Sequence, residues 1–282
     1  MERPDPVQPP ARPERAPLPR DPWSLPPLGP AWEEALDAGC AALGLVLPPA
    51  VRRALDAQSR LLVAWTAAIN LTALREPEQV GRLHLVDSLS AVALVRRIAP
   101  SDATILDLGS GGGMPGLPLA AALPAGRCLL VDSVAKKVAF LEVAAAAVSA
   151  ALAEGPAPVP DLGAVAARAE EIAADPALRG EIDVVTARAV GPLAELVELA
   201  MPLLRIGGHL VAWKRDDGSG ALTAEIAEAG MIGRETGAGR VRVHDDPEPA
   251  IPGHRLVVLR KERPTPDRYP RDPSMRRRTA GR

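Results

Sequence analysis

Apolar residues recur along this chain in two rhythms, and the switch between them divides it. After Pro48-Pro49, Val51, Leu55, Leu62, Trp65 and Ile69 fall on one face of a helix. A loop, Asn70-Leu71-Thr72-Ala73-Leu74, leads to a further helix entered at Pro77 and running to about Ile98. From Thr104 the rhythm changes to short apolar runs alternating with helical segments. Strands are expected at 104–108, 127–131, 164–167, 183–188 and 208–214, with helices at 115–122, 136–153, 192–204 and 222–229. Two closing strands, 241–244 and 255–260, are joined by a proline-containing turn and read as an antiparallel pair. The alternation predicts an α/β fold: a Rossmann-like, mostly parallel, doubly wound sheet with an antiparallel last strand and an N-terminal helical layer. Ligands of such sheets bind at the carboxyl ends of the strands.

Residues 1–30 hold eleven prolines and four charges of each sign, which predicts a disordered leader. The expected organisation is then a helical layer over 31–99, a Rossmann-like domain over 100–262 and a basic disordered tail over 263–282. The formal net charge is -2, but it is unevenly placed. Residues 260–282 carry nine Lys and Arg against three Asp and Glu, so the remainder is acidic. A polyanionic partner would therefore need a local basic patch, and the tail with Arg276, Arg277 and Arg278 is the candidate. No apolar run approaches a membrane span or a secretory signal. Cys40 and Cys128 have no metal-ligand spacing and read as reduced, buried thiols of a cytoplasmic protein; no metal is expected.

The segment Leu106-Asp107-Leu108-Gly109-Ser110-Gly111-Gly112-Gly113-Met114-Pro115-Gly116 carries the chemistry. A strand runs into a glycine-dense turn that opens a helix, where bare backbone can approach a ligand. Twenty-five positions after Asp107, the next strand ends in Asp132, placed to accept from both hydroxyls of a ribose. Together these imply a nucleoside cofactor. Gly111-x-Gly113-x-x-Gly116 satisfies the dinucleotide pattern and keeps a nicotinamide oxidoreductase open. Pro115 and Pro118, however, remove N–H donors that a pyrophosphate would use, and Asp107 can orient the loop and reach a bound amine. S-adenosylmethionine, with an amino acid and a ribose but no phosphate, suits the turn better.

The joint pattern resembles one family. Trp65…Ile69-Asn70-Leu71-Thr72-Ala73, His84-Leu85-Val86-Asp87-Ser88, the glycine segment and Leu130-Val131-Asp132-Ser133 belong to it. So do Ala167-Arg168-Ala169-Glu170-Glu171, Thr186-Ala187-Arg188-Ala189, Gly207-Gly208, Lys214 and Thr265-Pro266…Tyr269-Pro270-Arg271. Over about 50–271 the chain resembles the bacterial ribosomal small-subunit methyltransferase G family, also called the glucose-inhibited division protein B family. The resemblance implies transfer of methyl from S-adenosylmethionine to N7 of a guanine in a 16S rRNA loop near the decoding centre. It implies that Gly109, Gly111 and Met114 line the methionine side, Asp132 takes the ribose, Ala169 and Glu170 flank the adenine, and Arg188 closes the site. Asn70 and His84 join Arg188 as catalytic candidates, and Lys214 and Arg271 join the tail arginines as RNA contacts. Thr66 and Leu83 depart from the family's usual Asn and basic residue, which touches the presumed RNA side.

Guanine N7 bears a lone pair and no proton, so its methylation needs orientation and water exclusion rather than a base. His84, Asp87 and Ser88 share one helix face and read either as a hydrogen-bonded cluster tying helices to sheet or as a substrate contact; a nucleophilic triad is the poorer reading. With six aromatic residues the chain is no stacking platform for RNA. A non-catalytic RNA-binding module on a vestigial cofactor fold is the remaining alternative. A 16S rRNA partner and a monomer are expected.

Overall fold

A computed structural model describes residues 17–123, 126–245 and 251–272. Seven strands form one sheet in the order β3-β2-β1-β4-β5-β7-β6. They are β1 (Thr104–Leu108), β2 (Arg127–Asp132), β3 (Asp161–Ala166), β4 (Ile182–Arg188), β5 (Leu204–Arg215), β6 (Arg242–Asp245) and β7 (His254–Arg260). The first five are parallel; β7 runs antiparallel to both β5 and β6. Strand order reverses beside β1, so the switch point falls where the sequence puts its glycine turn.

The N-terminal helices are α1 (Pro30–Ala42), α2 (Pro49–Ile69), α3 (Pro77–Gln79), a π-helical stretch Val80–Val86, α4 (Asp87–Leu89) and α5 (Val92–Ile98). Asn70 ends α2 in the left-handed conformation, with φ 55°, a conformation Asn tolerates better than most residues. The remaining helices are α6 (Gly116–Ala122), α7 (Ala135–Leu152), α8 (Ala169–Ala174), α9 (Leu193–Leu203) and α10 (Ala221–Thr236). α7 buries Val138, Leu141, Val148 and their neighbours between α2 and the sheet, leaving a face of alanines with Lys136 and Glu142 exposed; its Phe140 meets Trp65 edge to face at 5.6 Å. Thus the helical layer is no separate body: Leu55, Leu62 and Trp65 share one core with Phe140, Leu130 and Val211. The opposite face of the sheet is covered by α8, α9 and α10.

Both terminal expectations need correcting. Residues 1–16 lie outside the described residues, but the leader packs from Leu18 onward. Leu18, Leu25 and Leu28 rest on the core, Trp65 Nε1 donates to Pro19 O at 2.7 Å, and Arg60 Nη1 donates to Leu25 O at 2.9 Å. The prolines leave room for one short 3-10 turn, Pro22–Ser24, and the extended backbone around it leaves carbonyls free to accept from side chains. Likewise residues 263–272 are packed rather than disordered: Tyr269 is buried and Thr265 Oγ1 donates to Thr236 O at 2.7 Å. Cys40 and Cys128 are buried free thiols, and burial pushes the Cys40 pKa up to about 11. Among the described residues, no helix is long and apolar enough to cross a membrane.

Candidate active site

The glycine turn and the β2 carboxylate are joined directly. Parallel pairing sets Leu108 beside Val131, which brings Gly109 next to Asp132 at the carboxyl edge. Ser110 fastens the turn to β2: its N–H donates to Val131 O at 2.9 Å and its Oγ accepts from Val131 N at 3.1 Å. Gly111 N then donates to Asp132 Oδ2 at 3.1 Å, and Val134 N donates to Asp132 Oδ1 at 2.9 Å. Each carboxylate oxygen keeps further acceptor capacity.

Asp107, at the end of β1, does different work. It is fully buried, accepting from Gly116 N at 3.1 Å and from Thr186 Oγ1 at 2.7 Å. It orients the loop as expected, but its burial keeps it from a bound amine, and burial raises its pKa to about 6. A Cβ on Gly116 would come within 2.8 Å of Asp107 Oδ2 and 2.5 Å of the Leu130 side chain. That glycine of the dinucleotide pattern therefore serves close packing.

A cavity of about 320 Å³ opens beside Asp132, lined also by Gly109, Lys137, Ala169, Glu170 and Glu195. Gly109 has φ +70°, and a Cβ there would lie 2.7 Å from Val190, itself a lining residue. Gly111 reaches the site through its backbone hydrogen bond to Asp132. Met114, by contrast, does not line this cavity. It is buried under α2, near Gln58 Nε2 (3.5 Å) and Ser88 Oγ (3.8 Å). Its thioether is apolar, and α2 lies over the turn, held by Gln58 Nε2 donating to Gly112 O at 3.3 Å.

Arg188 belongs to a second cavity, of about 280 Å³, that shares Ala189 and Leu196 with the first as wall residues. Its guanidinium Nη1 donates to Asp87 Oδ2 at 2.6 Å and to Leu83 O at 3.1 Å, while Nη2 donates to His84 Nδ1 at 3.2 Å. Asp87, 1% exposed, also accepts from His254 Nδ1 at 2.7 Å, and its backbone carbonyl accepts from Trp213 Nε1 at 2.9 Å. Arg188 is therefore not a wall of the Asp132 cavity; it closes the adjoining one. Burial, reinforced by Arg188, lowers the His84 pKa to about 4. The neutral ring accepts at Nδ1 and donates from Nε2 to Thr72 Oγ1 at 2.8 Å, a tautomer fixed by its partners. His84 and Asp87 thus tie the helical layer to β4, β5 and β7. Ser88 Oγ is occupied with His84 O at 2.6 Å, which excludes a nucleophilic triad.

Three residues expected at the site, Lys214, Arg271 and Asn70, have other duties. Lys214 Nζ donates to Gly191 O at 2.8 Å and pairs with Glu225 at 2.7 Å, so it braces the second cavity instead of meeting phosphate. Arg271 forms a bidentate pair with Glu198, 1% exposed, because a carboxylate this buried requires a partner. Asn70 caps α2 at an exposed turn and lines neither cavity, though Thr72 two residues on bonds His84 of the Arg188 network. Thr66 bonds back to Leu62 O, and Leu83 contributes its carbonyl rather than its side chain. Arg276, Arg277 and Arg278 lie outside the described residues. His254, Trp213 and Glu195 carry no local signal, since nothing in the sequence brings His254 to Asp87 across 167 positions. Lys137, 3.7 Å from Asp132, is visible in the sequence only as part of the Lys136-Lys137 pair.

The profile of the rRNA small subunit methyltransferase G family matches residues 52–229. A protein named ribosomal RNA small subunit methyltransferase G from Roseiflexus castenholzii is 39% identical over 210 residues, covering 74% of this chain and 83% of that one. Proteins of the same name from Symbiobacterium thermophilum and Sorangium cellulosum are 36% and 35% identical, covering 86% and 91% of this chain and 94% and 98% of theirs. With its glycine corner, strand-end carboxylate and doubly wound sheet in that order along the chain, this protein belongs to the ribosomal RNA small subunit methyltransferase G family.

Proposed function

We propose that this protein transfers a methyl group from S-adenosylmethionine to N7 of a guanine in a 16S rRNA loop, with the cofactor in the Asp132 cavity and the base in the Arg188 cavity. The observation that carries the reading is that two neighbouring cavities share Ala189 and Leu196 as wall residues, one bounded by the glycine corner and the other by a buried charge network. S-adenosylmethionine supplies an electrophilic methyl on a sulfonium. It fits a corner where Gly109 offers bare backbone and Asp132 keeps lone pairs for ribose hydroxyls, with Ala169 and Glu170 at the far wall. Gly116 packs as the third glycine of either pattern would, so it is family membership that favours the methyl donor over the nicotinamide alternative.

Guanine presents N7 and O6 as neighbouring acceptors. Arg188 has five N–H donors and engages three of them, which leaves two for a ligand such as O6. Asp87 balances the guanidinium, so a ring gaining positive charge meets a neutralised pair rather than a bare cation. His84 stays neutral at pH 7 and removes no proton, as an N7 acceptor requires. The substrate base must be unpaired to enter, which suits a loop of the small subunit.

The test incubates 16S rRNA and assembled small subunits with the protein and methyl-labelled S-adenosylmethionine, then identifies the nucleoside. Label in a single 7-methylguanosine is expected. Label on another atom, or RNA binding without transfer, overturns the reading.

A further inference from the structure

A third cavity, of about 250 Å³, lies at the opposite edge of the sheet. Arg97 from the end of α5, Arg240, Arg242 of β6 and Arg260 of β7 all line it, with His209 of β5 and the single carboxylate Glu262. Among the described residues none of these four guanidinium groups has a carboxylate within ion-pair distance, whereas Arg188 and Lys214 at the carboxyl edge each do. His209 Nδ1 is buried here without a hydrogen-bond partner. Four like charges gathered round one small space repel each other unless an anion enters, and guanidinium forks match phosphate oxygens in pairs. His209 pairs in register with Arg260 at the amino end of β5, six residues before Arg215 of the second cavity. At roughly 3.3 Å per residue the two sites are about 20 Å apart.

We propose that this cavity binds a backbone phosphate of the RNA substrate, a docking contact on the edge remote from methyl transfer. The proposal rests on the RNA reading above, since an RNA long enough to fill the active site can carry a phosphate across that distance. The state of the histidine also fits: burial and the neighbouring Arg260, Arg205 and Arg242 lower the His209 pKa to about 4, leaving its ring an uncharged partner until an anion arrives.

The test compares the full chain with an Arg97→Gln/Arg242→Gln variant, both positions being exposed. Binding of a 16S rRNA fragment is measured from low to moderate salt without any transfer step. Each lost phosphate contact to single-stranded RNA lowers the slope of log K against log salt by about 0.7, so the variant, losing the one phosphate, should lose about 0.7. KM for RNA should rise about tenfold while kcat and S-adenosylmethionine affinity stay level. An Arg97→Lys/Arg242→Lys variant should keep the slope. An unchanged slope in the glutamine variant overturns the proposal. So does binding of inorganic phosphate, seen as a shift of the His209 ring signals, if the RNA slope does not move; the cavity would then serve a free anion. Failure of the methyl-transfer reading would show separately, as absent transfer by the unaltered protein.

Discussion

The two cavities at the carboxyl edge are built by opposite means. The first centres on a local corner where the Gly111 and Val134 N–H groups reach Asp132, with walls from the ends of successive strands and from Lys137, Glu170 and Glu195. The second is made of buried charge drawn from four distant elements, with Asp87 held between Arg188 and His254 and bonded through its carbonyl to Trp213. A local corner can bind a shared cofactor, because every nucleoside offers the same ribose. A pocket for one particular base needs several elements to agree on position. Removing a piece should therefore act differently in each.

The largest effect is expected for Asp132→Ala. Two charge-assisted bonds to ribose hydroxyls, at about 1.5–3 kcal/mol each, make a loss of at least about 100-fold in S-adenosylmethionine affinity. Titration calorimetry should find that loss in a folded protein; near-normal affinity would move the cofactor elsewhere. Arg188→Met should invert the pattern. It strands a buried carboxylate, so stability should fall by about 3 kcal/mol in urea unfolding, and methyl transfer should drop steeply. Cofactor affinity should stay within a few-fold, and parallel losses of binding and transfer would merge the two cavities into one site.

Gly109→Ala sharpens the first half. Its φ of +70° and the approach to Val190 predict about tenfold weaker cofactor binding with the second cavity intact. The narrowest test lies in the pH dependence of stability. His84 titrates near 6.5 when unfolded and near 4 when folded, so its share of stability is present above 6.5 and is lost as pH falls through 4. Asp107 works in the other direction: raised to about 6, it favours the folded state below its unfolded value and loses that share as pH rises through 6. His84→Gln should therefore lose less stability than the parent as pH drops from 6.5 to 4.5. Parallel curves would remove His84 from the buried network.

The same contrast explains what the sequence could tell. The strand ends at Leu108 and Asp132 are local signals, written in apolar runs and glycine spacing, and the fold delivers them side by side. Helix α10 runs seven residues past its expected end at 229, where Gly233 lies close to Leu259 of β7 and buried Thr236 accepts from Thr265 at its carbonyl, a tertiary gain invisible in its weak periodicity. The family resemblance implies Met114 as a lining residue, but only the packing of α2 shows that it is buried beneath that helix. Arg271 and Lys214 read as free cations because Glu198 and Glu225 are distant in sequence. Charge, unlike periodicity, reveals its partner only after the chain has folded.

The most direct measurement is a structure of this protein with S-adenosylhomocysteine bound. The account predicts the ribose hydroxyls within hydrogen-bond distance of Asp132, the adenine against Ala169, and the sulfur facing the shared wall residues Ala189 and Leu196. A ligand that leaves Asp132 uncontacted, or whose sulfur points away from the cavity closed by Arg188, would contradict it.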